Sequence, residues 1–235
     1  MSIFWIVRES VDAFLAIDRF ILQPNGIGLR NDMELKRSLT RLVQTLPATY
    51  FGDPRLPDGF PRPALDLPPA GFTLDFFHLG PPTYASRRLR EALAQPKDIV
   101  QYWPIDLMTG GPEVVAQDYR WMNVLACQPA VDLKRSKYVV EEGVRQSTGE
   151  TFRYIRFYDQ MVLRDDLGLT PEIFRVAEDL ITILVTDALA ERIQRAGCTG
   201  IDFLDPATRG DTAHMKRYRT LAGVREESTG RRADP

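Results

Sequence analysis

The stretch Leu189–Phe203, LAERIQRAGCTGIDF, holds the residue types best spaced for chemistry. Cys198 closes a helix-like run and Asp202 follows it, a thiol and a carboxylate of the kind that serve as nucleophile and base. The local field argues against that use. A helix lowers a thiol pKa at its N-terminus, whereas Cys198 follows a C-terminus, where the thiolate is disfavoured. Asp202 alternates with Ile201 and Phe203, which turns its carboxylate to solvent. The remaining residues read as scaffold. Thr186 caps a helix, Asp187 complements its first turn, Leu189, Ile193 and Ala196 form its apolar face, and Glu191 and Arg195 are spaced as an i,i+4 ion pair. Gly197 supplies a left-handed stop, and Cys198–Gly200 turns the chain into an apolar strand.

Other constellations are weaker. His78 and His214 are the two histidines, far apart and without cysteines or carboxylates at metal-ligand spacing, so no metal is expected. No G-x-S-x-G elbow presents a serine. NGIGLRN, Asn25–Asn31, lacks the third glycine and the lysine of phosphate-binding loops, so it is read as a turn, like TGGP at Thr109–Pro112. Glu141–Glu142 and Asp165–Asp166 are adjacent carboxylates. Neighbours on a strand point to opposite faces and rarely share a proton, so their functional reading is an acidic rim for a partner. Trp103 and Trp121, beside Tyr102 and Tyr119, read as core. Lys216, Arg217, Arg219 and Arg225 are offset by Asp211, Glu226 and Glu227.

The elements that must position these groups follow from pattern. The chain has 235 residues, a net charge of −2, 44% hydrophobic and 26% charged residues, an ordinary globular composition and not the basic one of a dedicated nucleic-acid binder. Ile3–Val7 is predicted as a strand; followed at once by Arg8 and Glu9, it is too short for a signal h-region. Leu39, Leu42, Val43 and Leu46 predict a helix over 38–46. Nine of the 17 prolines fall between Pro47 and Pro82, which excludes a long helix or a central strand there. Phe51, Phe60, Phe72, Phe76 and Phe77 predict that this segment packs on the body, with a buried strand in FTLDFFHL. Ser86 caps a helix carrying Leu89, Ala92 and Leu93 and stopped by Pro96. IVQYWPIDLM is a strand interrupted by Pro104, YRWMNVLAC a core strand, and YVVEEGVRQ with ETFRYIRFY a hairpin turning at Ser147–Gly149. LITILV, Leu180–Val185, is a buried strand, and Ile201–Leu204 a second. TYASRRLREALAQP and ILVTDALAERIQRAG echo each other as strand, hydroxyl cap, helix and breaker. The fold class is α+β, a mixed or mostly antiparallel sheet with short helices packed on it. Residues 1–205 are expected as one domain, with 47–82 packed on it and 206–235 as a polar tail carrying a short helix near Met215–Leu221. Two cysteines without CxxC spacing point to a reducing, cytoplasmic setting.

SRRLREAL (Ser86–Leu93), YRWMNVL (Tyr119–Leu125), AVDLKRSKY (Ala130–Tyr138), EIFRV (Glu172–Val176) and ILVTDALAERIQRAGCTGIDF (Ile183–Phe203), in this order, resemble a family of bacterial immunity proteins from polymorphic-toxin and type VI secretion systems. The resemblance runs from about Phe72 to Pro206, loosely before it and not in the tail. Thr186 stands where the family pattern leads one to expect serine, and keeps the capping oxygen. The resemblance implies a non-enzymatic antitoxin that binds a cognate secreted effector, with no catalytic residue and no cofactor to carry over. No nucleic-acid or membrane partner is expected, and homo-oligomerisation is left open.

Since the recognisable motifs are scaffold, the toxin contacts are expected in loops and exposed strands: Glu141, Glu142 and Gln146 at the hairpin, Asp165 and Asp166 on a loop, and the aromatics Tyr102 and Tyr158. Carboxylates there can occupy the basic cleft of a toxin that handles phosphate-bearing substrates. The alternative is an enzyme with a carboxylate and arginine cleft, lidded by the Pro/Phe-rich segment.

Overall fold

The computed structural model describes residues 4–9, 28–44, 54–68, 72–79, 82–144 and 151–211. In chain order the elements are β1 (Phe4–Glu9), β2 (Gly28–Leu29), α1 (Asp32–Gln44), β3 (Ala64–Asp66), β4 (Phe76–His78), β5 (Thr83–Ala85), α2 (Arg87–Leu93), β6 (Val100–Pro104), β7 (Asp106–Thr109), α3 (Pro112–Ala116), β8 (Arg120–Val124), β9 (Cys127–Gln128), β10 (Lys137–Val144), β11 (Thr151–Gln160), β12 (Ile173–Val176), β13 (Asp179–Thr186), α4 (Asp187–Arg195), β14 (Ile201–Leu204) and a 3-10 helix, Pro206–Asp211. They form a five-stranded sheet ordered β14-β1-β13-β12-β9, a four-stranded sheet ordered β4-β5-β8-β6, a three-stranded sheet β2-β3-β7 and the ribbon β10-β11. Among the described strands only β9–β12 and β3–β7 pair in parallel. The fold is α+β with mixed, mostly antiparallel sheets, as the pattern predicts.

The echo between the two strand–cap–helix segments is a structural repeat. One unit is β4-β5-α2-β6, with β8 between β5 and β6; the other is β12-β13-α4-β14, with β1 between β13 and β14. In both, the first two strands form an antiparallel pair, and the strand between the helix-linked pair runs antiparallel to both. The registers coincide. Phe77, Tyr84, Trp121 and Trp103 lie on one rung across the first sheet, and Phe174, Leu184, Ile6 and Leu204 on the matching rung of the second.

Local chemistry accounts for both helices. Ser86 and Thr186 have extended backbones, and their hydroxyls accept the Leu89 and Leu189 N–H groups at 3.2 and 3.3 Å. This satisfies one of the orphan donors of each first turn. The apolar stripes, Leu89, Ala92 and Leu93 on α2, and Leu189, Ala190 and Ile193 on α4, are buried in one core. That core also receives Phe76, Ala85 and Val100 from the first sheet and Ile173 and Val185 from the second. The outer faces build separate cores: Phe77 and Tyr84 in one, Phe4, Ile6, Phe174 and Leu184 in another.

The structure corrects several expectations. The first helix starts at Asp32, not Ser38, because the apolar face extends back to the fully buried Leu35. The Pro-rich segment does hold a central strand. Ala64–Asp66 fits between Pro63 and Pro68, keeps its N–H groups, and pairs with β2 on one side and β7 on the other. IVQYWPIDLM is two strands in two sheets, with Pro104 closing β6 at a sheet edge, where no ladder donor is needed. Ala196 is exposed and Ala190 takes its place on the buried face. Glu191 and Arg195 form no ion pair; Arg195 Nε donates to the Glu191 carbonyl at 3.4 Å. Ile181, on LITILV, is 79% exposed, and β14, an edge strand, is half-buried throughout.

Residues 54–60 do pack on the body. The Gln101 side-chain amide pairs with the Leu56 backbone in both directions at 2.8 Å, and Asn123 Nδ2 donates to the Pro54 carbonyl at 2.9 Å. Phe60 then meets Trp103 and Trp121 edge-on. The segment is pinned by side-chain amides that stand in for a strand partner.

Candidate functional site

The turn after α4 is a joint between the two units. Gly200 has φ +83°, and a Cβ there would lie 2.3 Å from the Phe76 carbonyl oxygen, so only glycine allows the approach. Asp75, fully buried, takes the Ser86 hydroxyl at 2.5 Å, the Thr199 N–H at 2.8 Å and the Thr199 hydroxyl at 3.1 Å. Arg88 lies 3.6 Å away. Glu172 stands at the equivalent place before β12. It accepts Arg192 at 2.8 Å and Gln95 at 3.0 Å, and Arg192 holds its carboxyl below the usual glutamate range. Both carboxylates therefore tie their own helix to the other unit. The signal for Asp75 was present in the sequence as a lone carboxylate inside the apolar run FTLDFFHL.

Cys198, half-buried beside this joint, has its thiol pushed up to about 11 by burial first and by Asp75 second. It is a poor nucleophile at neutral pH. Cys127 lies on the edge strand β9. His78 is satisfied, with Nδ1 3.0 Å from the Thr83 hydroxyl and its ring edge-on to Phe76. Gly28 and Leu29 of the stretch read as a turn form β2, and Arg30, directly after it, grips Asp66 with two hydrogen bonds, at 2.5 and 2.9 Å. Among the described residues no group of three or more His, Cys, Asp or Glu side chains is placed to hold a metal. No helix among them is long and apolar enough to cross a membrane.

The predicted binding residues gather only in part, on and around the β10–β11 hairpin. Glu141 opposite Tyr154 and Glu142 opposite Arg153 lie on its two faces. Glu141 takes the Tyr154 hydroxyl at 2.9 Å and pairs with Arg156. Glu142 is exposed. Asp165 pairs with Arg135 at 3.1 Å and Asp166 with Arg164 at 2.8 Å. Arg164 holds the Asp166 carboxyl below its usual range, as Arg135 does that of Asp132. Three of the four carboxylates are thus paired with an arginine, Asp165 sharing Arg135 with Asp132, which reduces the acidity of the rim.

The aromatics divide as well. Tyr158 is fully buried, meeting Tyr138 edge-on at 6.0 Å, so it is a root residue of the hairpin and not an exposed contact. Tyr102 is half-buried in β6, in the other unit, with the Arg90 guanidinium 5.8 Å from its ring. Pattern reading missed the exposed apolar residues of the hairpin, Val144 at 63% and Tyr154 at 41%. Gln146, the turn at Ser147–Gly149, His214, the basic residues 216–225 and the helix near Met215–Leu221 lie outside the described residues.

The hairpin root is rigidly built. Asp132 Oδ1 accepts the Lys134 and Arg135 N–H groups at 3.0 and 3.2 Å. The Ser136 hydroxyl donates to the Asp132 carbonyl at 2.7 Å and accepts the Val162 N–H at 2.9 Å. The motif AVDLKRSKY is therefore the clamp from which the two strands project.

A family model, Immunity protein family (Imm11), matches residues 23–208. The match includes every segment that carried the resemblance and extends further toward the N-terminus. No curated protein matches the chain. The chain belongs to the Imm11 immunity protein family.

Proposed function

We propose that this immunity-family chain binds and neutralises a cognate secreted effector of a type VI or other polymorphic-toxin system, in the cytoplasm of the cell that makes it. It acts by binding, and we assign it no catalytic role. Residues 1–205 serve as the binding body and 206–235 as an appendage.

The contact surface we infer is the distal half of the β10–β11 hairpin, on both its faces: Glu142, Val144 and Arg153 on one and Tyr154 on the other, with Gln146 next in sequence. One observation supports this choice. The two strands pair only with each other among the described residues, have no counterpart in the other unit, and expose large apolar side chains. Apolar and aromatic residues with a polar surround are the usual anchors of a protein interface. Glu141, Asp165 and Asp166 contribute shape and rigidity here more than net charge, since each is already paired.

The test is co-expression with a candidate effector encoded by an adjacent reading frame, read by growth and co-purification. The double variant Val144→Asp, Tyr154→Ala is expected to lose protection and co-purification with an unchanged melting curve. Full protection by that folded variant would move the contact surface elsewhere.

A further inference from the structure

We propose that the gap between β13 and β14 is a strand-acceptor site whose ligand is residues 4–9 of this chain, held by the gap itself and not by covalent continuity. In the first unit the middle strand, β8, follows β6 through residues 105–119. In the second, the chain leaves β14 for the 3-10 helix, whose Pro206 carbonyl accepts the Met161 N–H beyond β11. Among the described residues no strand follows β14 to fill the middle position, and β1 enters it from the other end of the described chain. It occupies the same register that β8 occupies in its unit, with Ile6 where Trp121 stands.

The fit is specific on every side. Backbone pairing runs from Phe4–Val7 to β13 and from Ile6–Glu9 to β14. Phe4 and Ile6, 1% and 3% exposed, enter the core with Phe174 and Leu184. Trp5 and Val7 lie on the opposite face, against the core shared by both helices. Trp5 Nε1 donates to Asp187 at 2.7 Å, and Glu9 Oε1 accepts the His78 N–H at 3.0 Å, so the two ends of β1 are keyed to different units. The family match, residues 23–208, contains both walls of the gap and not the strand that fills it. A recognition of this kind joins main-chain hydrogen bonds for affinity to alternating side-chain pockets for specificity.

The test uses the folded full-length protein with a protease site introduced between residues 10 and 27 and cut after folding. The fragment carrying residues 4–9 is expected to co-elute with the remainder on native size exclusion. A labelled peptide of residues 1–9 should then exchange into the cut protein saturably, and its Ile6→Asp form at least about tenfold more weakly. Loss of the fragment under native conditions would overturn the proposal, whether the remainder stays folded or not. Equal exchange by the Ile6→Asp peptide would do the same.

Discussion

The two units share strand order, register, capping chemistry and a buried core, yet they are completed differently. The first is finished by β8, a neighbour in sequence, and the second by β1, the most distant strand available. Their helices also stop differently, one at Ala94 with φ +48° and the other at Gly197 with φ +65°. Local chemistry therefore makes a half-unit, and the global fold decides which strand closes it. In the proposed reading, what is repeated is scaffold. The β10–β11 hairpin has no counterpart in the other unit and is free to carry function.

Breaking the comparison begins with the matched core residues. Leu89 and Leu189 are both fully buried in the shared core. Replacing either by alanine is expected to cost about 2–5 kcal/mol in denaturant melts, from lost transfer energy and the cavity left behind. A negligible change for one and a large change for the other would mean that the units are not energetically equivalent.

The two joints should differ more. Asp75→Ala strands the Ser86 hydroxyl and the Thr199 N–H around a fully buried site, for an expected loss of about 3 kcal/mol. Glu172→Ala, at a joint open to water, is expected to cost about 1 kcal/mol. The Glu172 carboxyl titrates lower folded than unfolded, so its contribution is present above about pH 4.3 and is lost as pH falls through its folded value. The stability gap between wild type and Glu172→Gln should close accordingly in an acid titration. A gap that widens toward low pH would reverse the sign.

The helix stops give the smallest effect and the sharpest contrast. No atom lies within 4 Å of a Cβ built at Gly197, so Gly197→Ala carries only the left-handed backbone penalty, about 1 kcal/mol. Ala94→Gly relieves that same penalty at the other helix and is expected to stabilise by about 0.5–1 kcal/mol. Thermal melts of the pair should move in opposite directions.

Much of the scaffold was legible because its signals are local. Ser86, Thr186 and Gly197 announce caps and a stop within a few residues, and the stripes at Leu89 and Leu189 announce buried faces. Strand pairing was not legible, because β1 with β13 and β14 joins segments almost a chain length apart. The β3 strand was missed since two flanking prolines hide three residues that keep their donors. The hairpin was visible as alternation. Three of its carboxylates are paired with Arg135, Arg156 and Arg164; of these pairs, those made by Arg135, thirty residues from Asp165, and by Arg156, across the ribbon from Glu141, depend on tertiary contacts that spacing does not reveal.

The central claim is that the repeated units are scaffold and the hairpin is the contact. Amide hydrogen exchange of this chain, free and bound to the proposed cognate effector, tests that most directly. Protection is expected to rise in Lys137–Val144 and Thr151–Gln160 and to stay unchanged across α2, α4 and the strands that flank them. New protection confined to α2 and α4, with the hairpin exchanging as in the free protein, would contradict it.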